Sequence, residues 1–136
     1  LTTLRNLTSL QLAELAAAAA DDKSANDIVL IDVQSRLSLT DYFVVATATN
    51  PRQVRAITDA IEERLAAAGA KVTRREGTDE GKWVLLDFTD VVVHVQDVEA
   101  RDYYDLPRLW RDCPGVTVRF NVSRESHEGG GMKVTT

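Results

Sequence analysis

Apolar residues recur at two different spacings along this chain, and the spacing divides it into helices and strands. Leucine, alanine and glutamate dominate the first stretch, so Leu7 to Asp21 reads as a helix, ended by Asp21-Asp22-Lys23-Ser24. Ile28 to Val33 and Tyr42 to Thr49 are short apolar runs with β-branched residues and read as strands, with the polar connection Gln34 to Thr40 between them. The next helix is the clearest element. Asn50 is a good N-cap, and Pro51 stands where a helix tolerates proline best. Val54, Ile57, Ile61 and Leu65 then form one apolar face, up to the stop at Gly69. Lys71 to Arg75 reads as a strand and Glu76 to Gly81 as a turn-rich loop. Lys82 to Phe88 and Val91 to Gln96 are strands joined by a tight turn at Thr89-Asp90, which makes them an antiparallel hairpin. Asp97 caps a short helical segment through Tyr104. Leu106, Leu109, Trp110 and Cys113 make another helical stripe, stopped by Pro114-Gly115. Val116 to Val122 reads as a last edge strand. Ser123 to Thr136, with Gly129-Gly130-Gly131, reads as a flexible tail.

Helices separated by strands, with one hairpin, predict an α/β fold: a single domain over 7–122, followed by the tail at 123–136. Its mixed sheet has about five strands packed with helices. The helix after Asn50 is expected to cross over between two parallel strands, Tyr42 to Thr49 and Lys71 to Arg75. In the hairpin, alternation puts Val84, Leu86, Phe88, Val91, Val93 and Val95 on one wholly apolar face, which belongs against the helices. The opposite face carries Trp83, Leu85, Asp87, Val92, His94 and Gln96. A large aromatic beside aliphatics, a carboxylate and an imidazole is the composition of a protein-binding surface more than of a solvated one. The alternative is that another element covers this face and that Trp83 and His94 belong to a core.

Charge sharpens the picture. The whole chain carries −5, yet Glu76 to Asp112 alone holds ten acids against four bases. Such a surface repels phosphate and suits a basic protein partner, so little direct nucleic-acid binding is expected. No stretch reaches the roughly 20 apolar residues of a membrane span, and no membrane association is expected. One cysteine, Cys113, and a start at Leu1-Thr2-Thr3 without a basic-then-apolar pattern lead to the expectation of a cytoplasmic protein. With two histidines and one cysteine, a Cys/His zinc cluster cannot be assembled. Asp87, Asp90, Asp97 and Glu99 invite a metal reading, because two-metal phosphoryl transfer needs convergent carboxylates. A nucleotidyltransferase takes them from an Asp-x-Asp pair after a Gly-Ser turn, and this chain has neither. No Gly-x-Ser-x-Gly elbow or phosphate-cradling Gly-x-x-x-x-Gly-Lys loop is present. A binding protein without cofactor is therefore expected. A divergent nucleotidyltransferase or phosphohydrolase with a carboxylate metal site is the alternative.

Several segments together resemble one family. Asp22-Lys23, Asp27-Ile28-Val29, Thr40-Asp41-Tyr42-Phe43-Val44 and Arg52-Gln53-Val54 occur in order. They are followed by Glu76-Gly77, Trp83-Val84-Leu85-Leu86-Asp87, Asp90-Val91-Val92-Val93-His94, Arg101, Tyr104-Asp105-Leu106 and Leu109-Trp110. In this the chain is similar to the Iojap-related ribosomal silencing factors, over roughly Leu10 to Val118. Gln96 departs from the pattern, standing where many relatives carry an aromatic residue. The resemblance implies a nucleotidyltransferase-like architecture without the catalytic motif. It also implies binding to the large ribosomal subunit, through the basic ribosomal protein numbered fourteen of the large-subunit series, on the intersubunit face. The bound factor would block joining of the small subunit and so repress translation. A homodimer in solution is implied as well. The residues carried over to the partner-binding site are Trp83, Leu85, Asp87, Asp90, His94, Arg101 and Tyr104. Trp83 and Leu85 would supply contact area, the acids would steer a basic partner, and His94 would offer a hydrogen bond across the interface.

Overall fold

Among the described residues six strands form one sheet, in the spatial order Arg74–Glu76, Trp83–Asp87, Val91–Asp97, Tyr42–Ala48, Asn26–Asp32 and Thr117–Phe120. The computed structural model describes residues 7–112 and the strand at 117–120. In chain order the elements are α1 (Ser9–Asp22), β1 (Asn26–Asp32), β2 (Tyr42–Ala48), α2 (Pro51–Ala67), β3 (Arg74–Glu76), β4 (Trp83–Asp87), β5 (Val91–Asp97), α3 (Val98–Tyr104), α4 (Leu106–Leu109) and β6 (Thr117–Phe120). The expected flexible tail, Cys113 and the Pro114-Gly115 stop lie outside the described residues.

The two long helices start as their sequences require. Thr8 and Gln11 cap α1 reciprocally: the Gln11 N–H donates to the Thr8 hydroxyl at 3.0 Å, and the Thr8 N–H donates to the Gln11 side chain at 2.9 Å. Alanines at 13, 16, 17 and 20 are fully buried, and their small size lets α1 lie close to its neighbours. Asn50 caps α2 by accepting from the Gln53 N–H at 2.8 Å, and Val54, Ile57, Ile61 and Leu65 are buried as their spacing predicts. Gly69 leaves the helix in a left-handed conformation at φ +96°.

Gln53 ties three segments together. Its amide nitrogen donates to the carbonyls of Lys23 and Ser24, at 3.0 and 2.9 Å. Its oxygen accepts from the Thr49 N–H at 2.7 Å and from the Thr49 hydroxyl at 3.0 Å. The turn after α1, the end of β2 and the start of α2 therefore share one side chain. Ser24 sits at φ +67° in that turn, a conformation that needs such support. Gln53→Ala is expected to lower the unfolding free energy by about 1.5 kcal/mol, seen as a lower urea midpoint with an unchanged slope. An unchanged midpoint would mean that the clasp contributes no stability.

One correction concerns the crossover. The parallel partner of β2 is β5, in register from Tyr42↔Val91 to Ala48↔Asp97, and not the strand that follows α2. That strand, β3, is an edge strand antiparallel to β4. Its three residues, Arg74, Arg75 and Glu76, are all exposed. Charged side chains on both faces suit an edge and would be costly beside a central parallel strand. The last strand, β6, pairs antiparallel with β1 at the opposite edge.

The sheet buries both faces. Ile28, Leu30, Val44, Val84, Leu86, Phe88, Val91, Val93 and Val95 pack in one cluster with the buried faces of α1 and α2, so the apolar hairpin face lies where alternation puts it. A smaller cluster on the other side gathers Val29, Ile31, Val33, Phe43, Val45, Val92 and Leu106, with Trp83, Leu85 and Trp110 packed against it. This second side carries the candidate site. Among the described residues no helix is long and apolar enough to cross a membrane.

Candidate partner-binding site

β4 and β5 pair antiparallel, placing Trp83 opposite Gln96, Leu85 opposite His94 and Asp87 opposite Val92. The turn between them is tight because Thr89 adopts φ +77° and its N–H donates to the Asp87 carboxylate at 2.7 Å. The Asp90 carbonyl accepts from the Asp41 and Tyr42 N–H groups, at 2.8 and 3.2 Å, so the turn is pinned to the start of β2. Asp97 ends β5 and caps α3, its carboxylate accepting from the Ala100 N–H at 2.8 Å. Asp105, at φ +39°, ends that helix and starts α4.

Six rings run in sequence from the half-buried Trp110 through the interior to the exposed Tyr103. Trp110 meets Phe43 edge-to-face at 5.0 Å, and Phe43 meets His94 at 4.9 Å. His94 lies 5.9 Å from Trp83, Trp83 lies 4.5 Å from Tyr104, and Tyr104 meets Tyr103 edge-to-face at 4.8 Å. Such spacings are the favourable ones for aromatic pairs. The Trp83 indole N–H donates to His94 Nδ1 at 3.1 Å, which fixes the orientation of the indole. His94 is therefore neutral with its proton on Nε2, and that nitrogen meets no acceptor among the described residues. Burial pushes its pKa down to about 4. Gln96, fully buried next to it, likewise has neither amide atom paired among the described residues.

The expected site residues separate into three groups. Trp83, Leu85, His94 and Tyr104 come together at the α3 end of the hairpin. Trp83 and Leu85 are half-buried and Tyr104 is exposed, whereas His94 is only 5% exposed. The contacts of His94 thus lie inside the domain, and its hydrogen bond goes to Trp83. Asp87 and Asp90 stand at the other end, Asp87 about 14 Å along the strand from Trp83. Asp87 lies 3.8 Å from Arg74, and Asp90 is exposed at the turn. Arg101 is buried beneath α3, where it donates to the Thr47 hydroxyl and lies 3.3 Å from the Asp27 carboxylate. It fastens α3 to the sheet.

Sequence reasoning passed over Tyr103, which is 80% exposed and forms the outer end of the ring series. Two adjacent tyrosines in a seven-residue helix were the available signal, since neighbours on so short a helix cannot both face the sheet. Val98, Tyr103, Tyr104 and Leu109, on α3 and α4, are four of the six large hydrophobic residues exposed among the described residues. They give this segment an uncovered apolar surface.

No three His, Cys, Asp or Glu side chains are grouped to hold a metal ion among the described residues. What the site offers chemically is a fixed aromatic surface, with Glu80, Asp97 and Glu99 beside it.

A family profile described as "Ribosomal silencing factor during starvation" matches residues 6–133. Ribosomal silencing factor RsfS of Bacillus subtilis is 40% identical over 111 residues, spanning 82% of this chain and 94% of that protein. A Mus musculus protein named "Mitochondrial assembly of ribosomal large subunit protein 1" is 31% identical over 91 residues, which are 65% of this chain and 40% of that one. A crystal structure of a Chromobacterium violaceum protein superposes with a TM-score of 0.75 at 37% identity, covering 77% of this chain and 88% of that chain. A profile matched over nearly the whole length, close relatives and a shared fold have one meaning: the chain belongs to the family of ribosomal silencing factors.

Proposed function

We propose that this chain binds the large ribosomal subunit and stands in the way of the small one, so that translation falls without any chemical step. The observation that carries this reading is the exposed end of the aromatic series on α3, set in the acidic part of the chain. A basic protein on the intersubunit face, numbered fourteen in the large-subunit series, is the partner such a surface suits. The name of the mouse relative points to the same subunit. Trp83, Leu85 and Tyr104 provide the desolvated contact area. Asp87 and Asp90 steer the partner from the far end, and His94 and Arg101 act from beneath by holding Trp83 and α3. A homodimer in solution, a cytoplasmic setting and little direct contact with RNA belong to the same proposal. The acidic span from Glu76 to Asp112 supports the last of these.

Sedimentation tests it. The purified chain is expected to travel with free large subunits and not with assembled ribosomes. Added before the small subunit, it is expected to lower the fraction of joined particles in proportion to its occupancy. A chain that stays at the top of the gradient in the presence of free large subunits would overturn the proposal.

A further inference from the structure

Beside the aromatic series lies a groove of about 390 Å³, between the loop that precedes β4 and the outer side of α3. This volume is at the small end of ligand sites, enough for one long side chain. Its walls are the rings of Trp83, Tyr103 and Tyr104, and its rim carries Glu80, Glu99 and Lys82. We infer that this groove receives an arginine side chain of the basic partner. The partner's identity rests on the proposed function, but the chemistry of the groove does not.

Four observations lead to the guanidinium. Tyr103 and Tyr104 meet at 84°, so they form a corner with flat faces on both sides. A planar, weakly hydrated cation stacks on such faces, whereas an ammonium holds its water more tightly. Secondly, the charges around the groove are mostly negative. The Asp97 carboxylate is engaged by the Ala100 N–H, while Glu80 and Glu99 have no ion-pair partner among the described residues. Lys82 offsets one of them. Two carboxylates beside ring faces can accept the outward N–H groups of a stacked guanidinium. An anion would be repelled, and an apolar group would desolvate the carboxylates without replacing their hydrogen bonds.

Thirdly, the groove is preformed. Gly77 lies so close to β4 that a Cβ there would stand 2.0 Å from the Trp83 carbonyl oxygen, and its φ of +81° favours glycine as well. The Gly81 N–H closes the loop onto the Gly77 carbonyl at 3.2 Å. Lastly, Tyr103 has no covering group, being 80% exposed although its ring is large and apolar. A wall fixed in advance on one side and an uncovered ring on the other reduce the cost of ordering on binding.

The test uses short peptides on the intact chain, followed by NMR of the backbone amides around Gly77, Glu80 and Ala100. N-acetyl-Gly-Arg-Gly-amide is expected to give saturable shifts confined to this groove. The citrulline peptide, of the same shape without charge, is expected to bind at least about tenfold more weakly, and the lysine peptide several-fold more weakly. Tyr103→Ala and Glu99→Gln alter exposed positions, so the domain should remain folded by circular dichroism, and each is expected to weaken the arginine peptide by about tenfold. Equal binding of arginine and citrulline, or shifts elsewhere on the surface, would overturn the inference. Large subunits separate it from the reading it rests on. If both variants bind large subunits like wild type, the groove takes no part and the inference fails while the ribosomal reading survives. If the arginine peptide saturates the groove but the wild type ignores large subunits, the groove stands and the ribosomal reading fails.

Discussion

Trp83→Ala is expected to weaken binding to large ribosomal subunits by about two orders of magnitude, the largest loss for any single side chain of the site. The indole is half-buried, packed at a tilt 4.5 Å from Tyr104 on one side and hydrogen-bonded to His94 on the other. It is thus a large aromatic surface held in one orientation before a partner arrives, and little entropy remains to be lost. Truncation removes contact area, releases Tyr104 and leaves His94 Nδ1 without its donor. Trp83→Phe separates these contributions. It keeps a ring against Tyr104 but lacks the N–H, so its affinity should fall between wild type and alanine. The measurement is sedimentation with purified large subunits at a series of concentrations, on variants whose near-ultraviolet circular dichroism shows a packed core. A folded Trp83→Ala that binds like wild type would remove Trp83 from the site.

Acid is expected to weaken the fold through His94. The side chain is neutral in the folded domain, its pKa lowered from 6.5 to about 4 by burial. The unfolded chain takes up a proton near pH 6.5, which the folded chain refuses until about pH 4. The stability contributed by the neutral form is therefore fully present above pH 6.5 and is lost as the pH falls toward 4. Between pH 7 and pH 4.5 the loss amounts to about 2.5 kcal/mol. Below that range the protonated imidazole would turn a second donor toward the Trp83 N–H, so Trp83 must leave its position. Carboxylates also titrate in acid, and His94→Gln provides the reference. It can accept the same hydrogen bond and has no proton to gain. Urea unfolding of both proteins across this range should show the wild type losing about 2.5 kcal/mol more than the variant. Parallel curves would mean that His94 does not govern the acid response.

The local features of the fold were readable. Asn50, Pro51 and the apolar residues at helical spacing define α2, and alternation assigned both hairpin faces correctly, because each depends on neighbours within a few residues. The crossover was misplaced because adjacency in sequence favours the next strand as partner, yet the true partner of β2 comes after two further strands. The arginines of β3 were a visible warning, since a central parallel strand would have read as continuously apolar. For the site, the face carrying Trp83, Leu85 and His94 was found, but not what covers it. Phe43 reaches that face from β2, and Leu106 and Trp110 reach it from α4, two places far apart in the chain. Their arrival buries His94 and leaves Tyr103 outside. That division between support and contact surface arises from packing alone, and no local pattern announces it.

The position of β5 also constrains the chain before the domain exists. This strand lies between β4 and β2, and its parallel partner was laid down before α2, β3 and β4. Non-local pairing of this kind is slow to form. Until it forms, Val91-Val92-Val93-His94-Val95 has β4 on one edge only and leaves the other edge open, a stretch of strong strand-forming residues of the type that joins other copies in cross-β aggregates. Asp90 and Asp97 bracket that stretch, and charges at such flanks act as gatekeepers against aggregation. The two aspartates that close the hairpin turn and cap α3 in the finished domain also guard its most vulnerable strand while it waits for a partner.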